Sequence, residues 1–238
     1  CQRLVKQAFL DDELRKKFFL TSANSINIAR LIPQTFYYFQ AFAQLNDHSK
    51  PVIVSVPCGN FGNLTAGLIA KRMGLPIEHF VVSTNSNDIV PEYLRTKIFQ
   101  PRPSKQTISN AMDVGNPSNF SRMLDLYDQN PDRMGEDFTG YTFTDDETRT
   151  AMQQIFKNKN YILDPHGAVA FLGLKKHFAK TGSDHTGIFL ETAHPGKFID
   201  VVEATLNEKI DLPAGLSKFM QGKKQSIRIG QTFPDFKK

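Results

Sequence analysis

Cysteine is scarce in this sequence: two residues in 238, Cys1 and Cys58. Two thiols make no disulfide framework, and no cysteine or histidine falls at zinc-ligand spacing. Such a composition fits a reducing, cytoplasmic setting. Long apolar runs are missing too. No stretch approaches the roughly 20 residues that cross a bilayer, and none reads as a secretory signal, so no membrane partner is expected. A concentrated basic stripe is also absent. Lys and Arg number 29 against 24 Asp and Glu, a formal charge of +5, and the basic residues are scattered apart from short runs at 15–17, 175–176, 223–224 and 237–238. That pattern reads as a solvated surface rather than a nucleic-acid reader, while a modest positive balance suits an anionic small molecule. There is no internal repeat and no low-complexity segment. The chain does not open on Met: Cys1-Gln2-Arg3 reads as mid-helix, and the expectation is a truncated or processed chain.

What is present is a core and a punctuated α/β pattern. Apolar residues make up 40% of the chain, enough to bury a sizeable core. Val52 to Val56 form a continuous β-branched-rich run, the mark of a strand buried on both faces. Pro57 ends it. A tight loop, Gly59-Asn60-Phe61-Gly62-Asn63, leads into a helix over 64–73 with Gly74 as its C-cap, and a second strand is expected over 79–83. Strand, loop, helix, strand is a βαβ unit and predicts a parallel sheet flanked by helices. Upstream, the 21–25 polar cluster predicts a helix starting near Ser25. Ile28, Leu31, Ile32, Phe36, Phe39 and Ala43 form its apolar stripe, and Pro33 either kinks it or marks its first turns. From about Asn85 to Gly140 prolines punctuate short helices and loops. Thr144-Asp145-Asp146-Glu147 is a capping box, Asp164-Pro165-His166-Gly167 precedes a helix over 168–178, and 187–190 is a short strand. Glu191 to Pro195 form a polar turn before a helix over 196–206. The tail after Pro213 is basic and poorly patterned.

Three places carry candidate chemistry. In the 59–63 loop two glycines let the backbone close around an anion, and the free N–H groups of the following helix start would point at it. A tight turn that binds nothing has the same pattern. The loop lacks the Walker lysine and the three-glycine dinucleotide fingerprint. In Asn24-Ser25-Ile26-Asn27-Ile28-Ala29-Arg30, amide and hydroxyl groups at a helix start, with Arg30 about one and a half turns in, would grip a second phosphate. The plainer reading is an ordinary cap with a surface arginine. Thr192 puts a hydroxyl in the turn after a strand, where it can meet a ligand ring atom. His166, His185 and His194 are candidate acid–base groups or hydrogen-bonded caps, and Cys58 is a candidate nucleophile or a small buried filler.

Taken together, these stretches resemble the threonine synthase family. The resemblance rests on "TSANSINIARLIPQTFYYF", "SVPCGNFGNLTAGLIAKRMGLP", "STNSNDIVP", "TISNAMDVGNPSNF", "ILDPHGAVAF" and "ETAHPGKF", which run from Thr21 to Phe198 in the family's order. It implies a fold-type II pyridoxal-phosphate enzyme, tryptophan synthase β-like: a three-layer α/β fold with a parallel sheet. This chain would supply a large-domain fragment, with residues 1–212 binding the cofactor and 213–238 forming a tail. It further implies conversion of O-phosphohomoserine and water to threonine and phosphate by γ-elimination and β-addition. Gly59, Asn60, Phe61, Gly62 and Asn63 would hold the pyridoxal 5′-phosphate phosphate, and Thr192 would face the pyridine nitrogen. Asn24, Ser25 and Arg30 would bind the substrate phosphate.

The family's Schiff-base lysine lies upstream, and neither Lys16-Lys17-Phe18 nor Lys197-Phe198-Ile199 resembles its context. The expectation is a half site, with no catalytic residue in this chain and no turnover by the chain alone. The rival readings are another fold-type II lyase or dehydratase, a non-catalytic phosphate-binding paralogue, and a phosphate- or nucleotide-binding module. Monomer and homodimer both stay open.

Overall fold

Residues 52–56 alternate between two helical layers, so apolar side chains are needed at every position of the strand they form. The structure is a computed structural model that describes residues 2–25, 27–182, 184–223 and 225–237, with the backbone alone of Gln2. Cys1, Ile26, Ser183, Lys224 and Lys238 lie outside the described residues. The chain divides into two compact units, residues 25–211 and residues 1–24 with 212–238.

In chain order the elements are α1 (Gln2–Leu10), α2 (Asp12–Lys17), α3 (Leu31–Ala43), β1 (Val52–Pro57), α4 (Gly62–Arg72), β2 (Ile77–Thr84) and α5 (Ile89–Thr96). They continue with α6 (Phe120–Leu126), α7 (Pro131–Asp137), β3 (Phe138–Thr142), α8 (Asp145–Lys159), α9 (Pro165–Thr181), β4 (Thr186–Phe189), α10 (Ile199–Leu206), α11 (Ala214–Met220) and α12 (Phe233–Lys237). Within the terminal unit Lys237 bridges Asp11 at 3.0 Å and Glu13 at 2.7 Å.

The larger unit is the α/β part. Its four strands run in the order β3-β2-β1-β4, and every neighbouring pair is parallel. Val52, Val54 and Val56 face one layer with Leu64 and Leu68 of α4 and Tyr38 of α3. Ile53 and Val81 face the other, with Val169 and Leu174 of α9. A third cluster joins α8, α9 and α10 through Met152, Ala168 and Val202. The parallel sheet flanked by helices is thus as the sequence pattern led one to expect.

Several boundaries follow from local chemistry. Asn130 caps α7 and Asp164 caps α9, each followed by Pro at the first helical position, where the missing N–H is no loss. Thr144 and Glu147 complete the capping box of α8. α4 ends in a Schellman turn: Leu75 N–H donates to Ala70 O, Gly74 N–H donates to Lys71 O, and Gly74 has φ +105°.

Two expectations need correction. The helix expected to start near Ser25 begins at Leu31, after a 3₁₀ turn Ile28–Arg30 whose N-cap is Asn27. Pro33 then falls in the first turn, where its lack of N–H is harmless, and Arg30 precedes the α-helix instead of riding on it. The buried face of α3 is Leu31, Thr35 and Tyr38, while Ile28, Ile32 and Phe36 are exposed. The second correction is the 85–140 stretch, which holds a strand, β3, as well as helices.

Candidate functional site

β1 and β4 are neighbours, and their carboxyl ends open on one cavity of about 850 Å³. Crevices at this end of a parallel sheet are where ligands bind in open α/β folds. The 59–63 loop forms one wall, Ser25, Arg30 and Tyr37 another, and His166, Glu191 and Thr192 a third. The described lining begins at Ser25. Asn24 belongs to the terminal unit, where its N–H donates to Ser22 Oγ at 3.2 Å.

The loop turns sharply because Phe61 adopts the left-handed conformation (φ 62°, ψ 14°) while its side chain is 2% exposed. A bulky residue at positive φ is strained, and burial of the ring holds it there. Phe61 is the N-cap of α4 and makes no side-chain cap bond. The backbone N–H groups of residues 59–63 find no protein acceptor among the described residues. Together with the positive end of an 11-residue helix, they suit an anion.

The glycines permit close approach. A Cβ on Gly59 would lie 2.7 Å from Met112 Cα, and one on Gly62 would lie 3.3 Å from Ser25 Cβ. The asparagine side chains are already engaged by protein. Asn60 Nδ2 donates to Ser25 Oγ at 2.6 Å, while its Oδ1 accepts the Ser118 N–H at 2.6 Å. Asn63 Nδ2 donates to Pro57 O at 2.7 Å. The loop therefore offers backbone, and Asn60 and Asn63 hold the loop.

The opposite wall is built of side chains at the start of α9. Asp164 is fully buried; its Oδ1 accepts the His166 N–H at 2.8 Å and pairs with His166 Nδ1 at 2.7 Å, and its Oδ2 accepts the Gly167 N–H at 3.3 Å. His166 Nε2 accepts the Ala111 N–H at 3.2 Å, which assigns the ring proton to Nδ1. That bond ties the 107–113 segment, also held by Asp113 through Thr107 and Asn85, against Gly59. Glu191 lies on the cavity side and stays exposed there, but its carboxyl is enclosed against Gly167. That enclosure, and then the neighbouring Asp164 carboxylate, push the Glu191 carboxyl up to about 8.

The remaining candidates fall elsewhere. His194 Nδ1 accepts the Gly196 N–H at 3.0 Å and caps a 3₁₀ turn. His185 stacks on Phe178, away from the cavity. Cys58 is buried, burial pushes its thiol up, and it fills space instead of serving as a nucleophile. A second hollow of about 700 Å³ surrounds Arg102, whose guanidinium is already paired with Asp88 and Glu92.

Asp164, Glu191 and the 107–119 segment lie in stretches that carry the family resemblance, but the sequence named none of them as site residues. Asp-Pro before a helix signals a cap, but the meeting of Glu191 with Asp164 across 27 residues has no local signal.

The family model described as "Pyridoxal-phosphate dependent enzyme" matches residues 1–190, and that described as "Threonine synthase, C-terminal" matches residues 167–237. A threonine synthase of Haemophilus influenzae is 49% identical over 225 residues, 93% of this chain and 51% of that protein. The crystal structure of threonine synthase from Escherichia coli superposes with a TM-score of 0.91 at 41% identity, covering 99% of this chain and 54% of that one. A pyridoxal-phosphate-bound threonine synthase from Brucella melitensis gives a TM-score of 0.85 at 34% identity, with 94% and 53% covered. The chain spans about half the length of the relatives it matches.

Proposed function

The chain belongs to the pyridoxal-phosphate-dependent enzymes of the threonine synthase family, and from there we propose that it forms the double phosphate grip of such an enzyme, which converts O-phosphohomoserine and water to threonine and phosphate. The observation that carries this reading is one cavity with two anion-competent walls: the open N–H groups of the 59–63 loop, and Ser25 with Arg30 beside them.

Pyridoxal 5′-phosphate fits the residues present. Its phosphate suits the N–H groups of Gly59, Asn60, Phe61, Gly62 and Asn63, and its ring nitrogen suits the Thr192 hydroxyl, which lines the same cavity. When bound, the cofactor supplies an electron sink for carbanions next to the substrate nitrogen. This chain's residues orient and confine. The loop fixes one phosphate by backbone, and the Arg30 fork receives the second with Ser25 alongside. No lysine is among the described cavity residues, so we assign the amine that carries the cofactor to a part of the enzyme outside this cavity wall, and turnover to the intact enzyme.

Calorimetric binding of O-phosphohomoserine and of pyridoxal 5′-phosphate to wild type and Arg30→Ala tests the grip. Loss of one charge-assisted hydrogen bond should weaken O-phosphohomoserine by about 1.5–3 kcal/mol, roughly ten- to two-hundred-fold, with pyridoxal 5′-phosphate affinity unchanged. Unchanged O-phosphohomoserine affinity would sink the assignment of Arg30.

A further inference from the structure

We propose that His166 is a positioning residue for the cofactor loop: its Nε2 holds the Ala111 N–H, and Ala111 and Met112 in turn bear on Gly59, the first residue of the loop that receives the phosphate. The role rests on the phosphate-grip reading; the line of contacts behind it does not.

The 107–119 segment runs along the outer side of the 59–63 loop. A Cβ on Gly59 would lie 2.7 Å from Met112 Cα and 2.9 Å from Ala111 O, so the two backbones touch there. Further on, the Ser118 N–H donates to Asn60 Oδ1 at 2.6 Å, and Asn119 Nδ2 donates to Asn60 O at 3.0 Å. The first two residues of the loop are thus set by where this segment lies. Asp113 anchors the segment by accepting from Thr107 Oγ1 at 2.7 Å and from Asn85 Nδ2 at 2.9 Å. Those bonds fix the base of the 110–112 turn. Its tip is held by the Ala111 N–H donating to His166 Nε2 at 3.2 Å.

His166 accepts there because its ring proton sits on Nδ1, facing Asp164 Oδ1 at 2.7 Å. The ring is 3% exposed and packs on Phe198 with centroids 4.6 Å apart. Asp164 is the N-cap of α9, whose Val169 and Leu174 pack on Ile53 of β1 and Val81 of β2. One line of contacts therefore runs from a helix seated on the sheet through Asp164, His166 and Ala111 to Gly59. Binding groups work only when held to within about 0.5 Å of the productive geometry. Without the Ala111 bond the turn is free to back away from Gly59, and the first N–H groups of the cradle lose their alignment.

A buried partner of the Asp164 cap would have the same location without this role, and two substitutions separate the two cases. In His166→Gln the side-chain amide reaches the place of Nε2 and still accepts from Ala111. In His166→Asn it reaches only the place of Nδ1, where it donates to Asp164 and leaves Ala111. Calorimetry of the whole chain with pyridoxal 5′-phosphate should give a Kd raised roughly ten-fold in His166→Asn and within about two-fold of wild type in His166→Gln. Amide hydrogen exchange at Ala111 should be slow in wild type and His166→Gln and fast in His166→Asn. Equal affinities in all three proteins, equal loss in both variants, or loss in His166→Gln alone overturns the role. If wild type binds no pyridoxal 5′-phosphate, the phosphate grip falls, and the Gly59 and Asn60 amide shifts decide the brace. Displacement in His166→Asn alone upholds it; displacement in both variants or in neither overturns it. If neither variant folds, wild type decides. A ¹⁵N–¹⁵N coupling across the hydrogen bond from Ala111 N to His166 Nε2, with Ala111 exchange slowed further on saturation with pyridoxal 5′-phosphate, upholds the brace, and absence of either overturns it.

Discussion

Two helices start at the cavity, and they treat their first turns in opposite ways. α9 begins with its own carboxylate: Asp164 occupies the N-cap, accepts the first N–H groups and is fully buried. α4 begins with Phe61, in a left-handed turn without a side-chain cap, and leaves its N–H groups to the cavity. α4 starts after the loop that follows the buried strand β1, α9 after a short loop that follows α8, and both pack on the sheet core. The difference shows that a helix start becomes an anion site when the sequence withholds a capping acid and folds the preceding residue into a conformation that aims the N–H groups outward. Where an acid caps the helix, the same end becomes a fixed strut.

The strongest way to break the contrast is to remove the strut. Asp164→Ala deletes the cap, strands two buried N–H groups and removes the partner of His166 Nδ1. The expected loss is about 3 kcal/mol in urea unfolding, since cap loss and unsatisfied buried donors add. A loss under about 1 kcal/mol would show that the α9 start bears little load.

A subtler change makes α4 resemble α9. Asn63→Asp places a carboxylate at the second residue of the helix without altering shape, and gives up the bond to Pro57 O. Pyridoxal 5′-phosphate affinity should fall about ten-fold by charge repulsion, while stability changes by less than about 1 kcal/mol. Equal loss of both would mean that the loop unfolded instead of closing to anions.

The far end of the same sheet sharpens the contrast at smaller scale. His79, near the start of β2, stacks on His177 with ring centroids 5.1 Å apart, and burial, then the neighbouring His177, lower His79 to about 4. Here the fold keeps its titratable groups neutral. Because the folded-state value lies below the unfolded one, the unfolded chain binds the proton first as pH falls. Stability is therefore full above about pH 6.5 and declines through about 4, by roughly 1–2 kcal/mol after allowance for partial solvation. Thermal unfolding of wild type and His79→Gln across this range checks it: the variant should show a shallower acid slope.

Much of this was legible in the chain. The β1 run, the 59–63 loop and the Schellman glycine at 74 are contiguous signals whose chemistry is local, and the family's motifs covered the same places. The start of α3 was misplaced because several polar residues before it compete as caps, and Pro33 decides among them only once the first turn is drawn. β3 was missed because Gly140 at its centre interrupts the β-branched and aromatic run that marks β1-like strands; its pairing with β2 makes it a strand. Asp164, Glu191 and Ala111 meet through tertiary packing, and no spacing encodes it. The two glycines of the 59–63 loop point to backbone N–H groups as its anion donors. The structure turns the Asn60 and Asn63 side chains to protein and leaves backbone to the cavity.

Amide chemical shifts measure the difference between the two helix starts directly. In ¹H–¹⁵N spectra of the whole chain titrated with pyridoxal 5′-phosphate, the amides of residues 59–63 should move downfield together and saturate as one site. Those of His166 and Gly167, already bonded to Asp164, should stay nearly still. Saturable shifts at the start of α9 with a silent 59–63 loop would contradict the assignment of the anion site to α4.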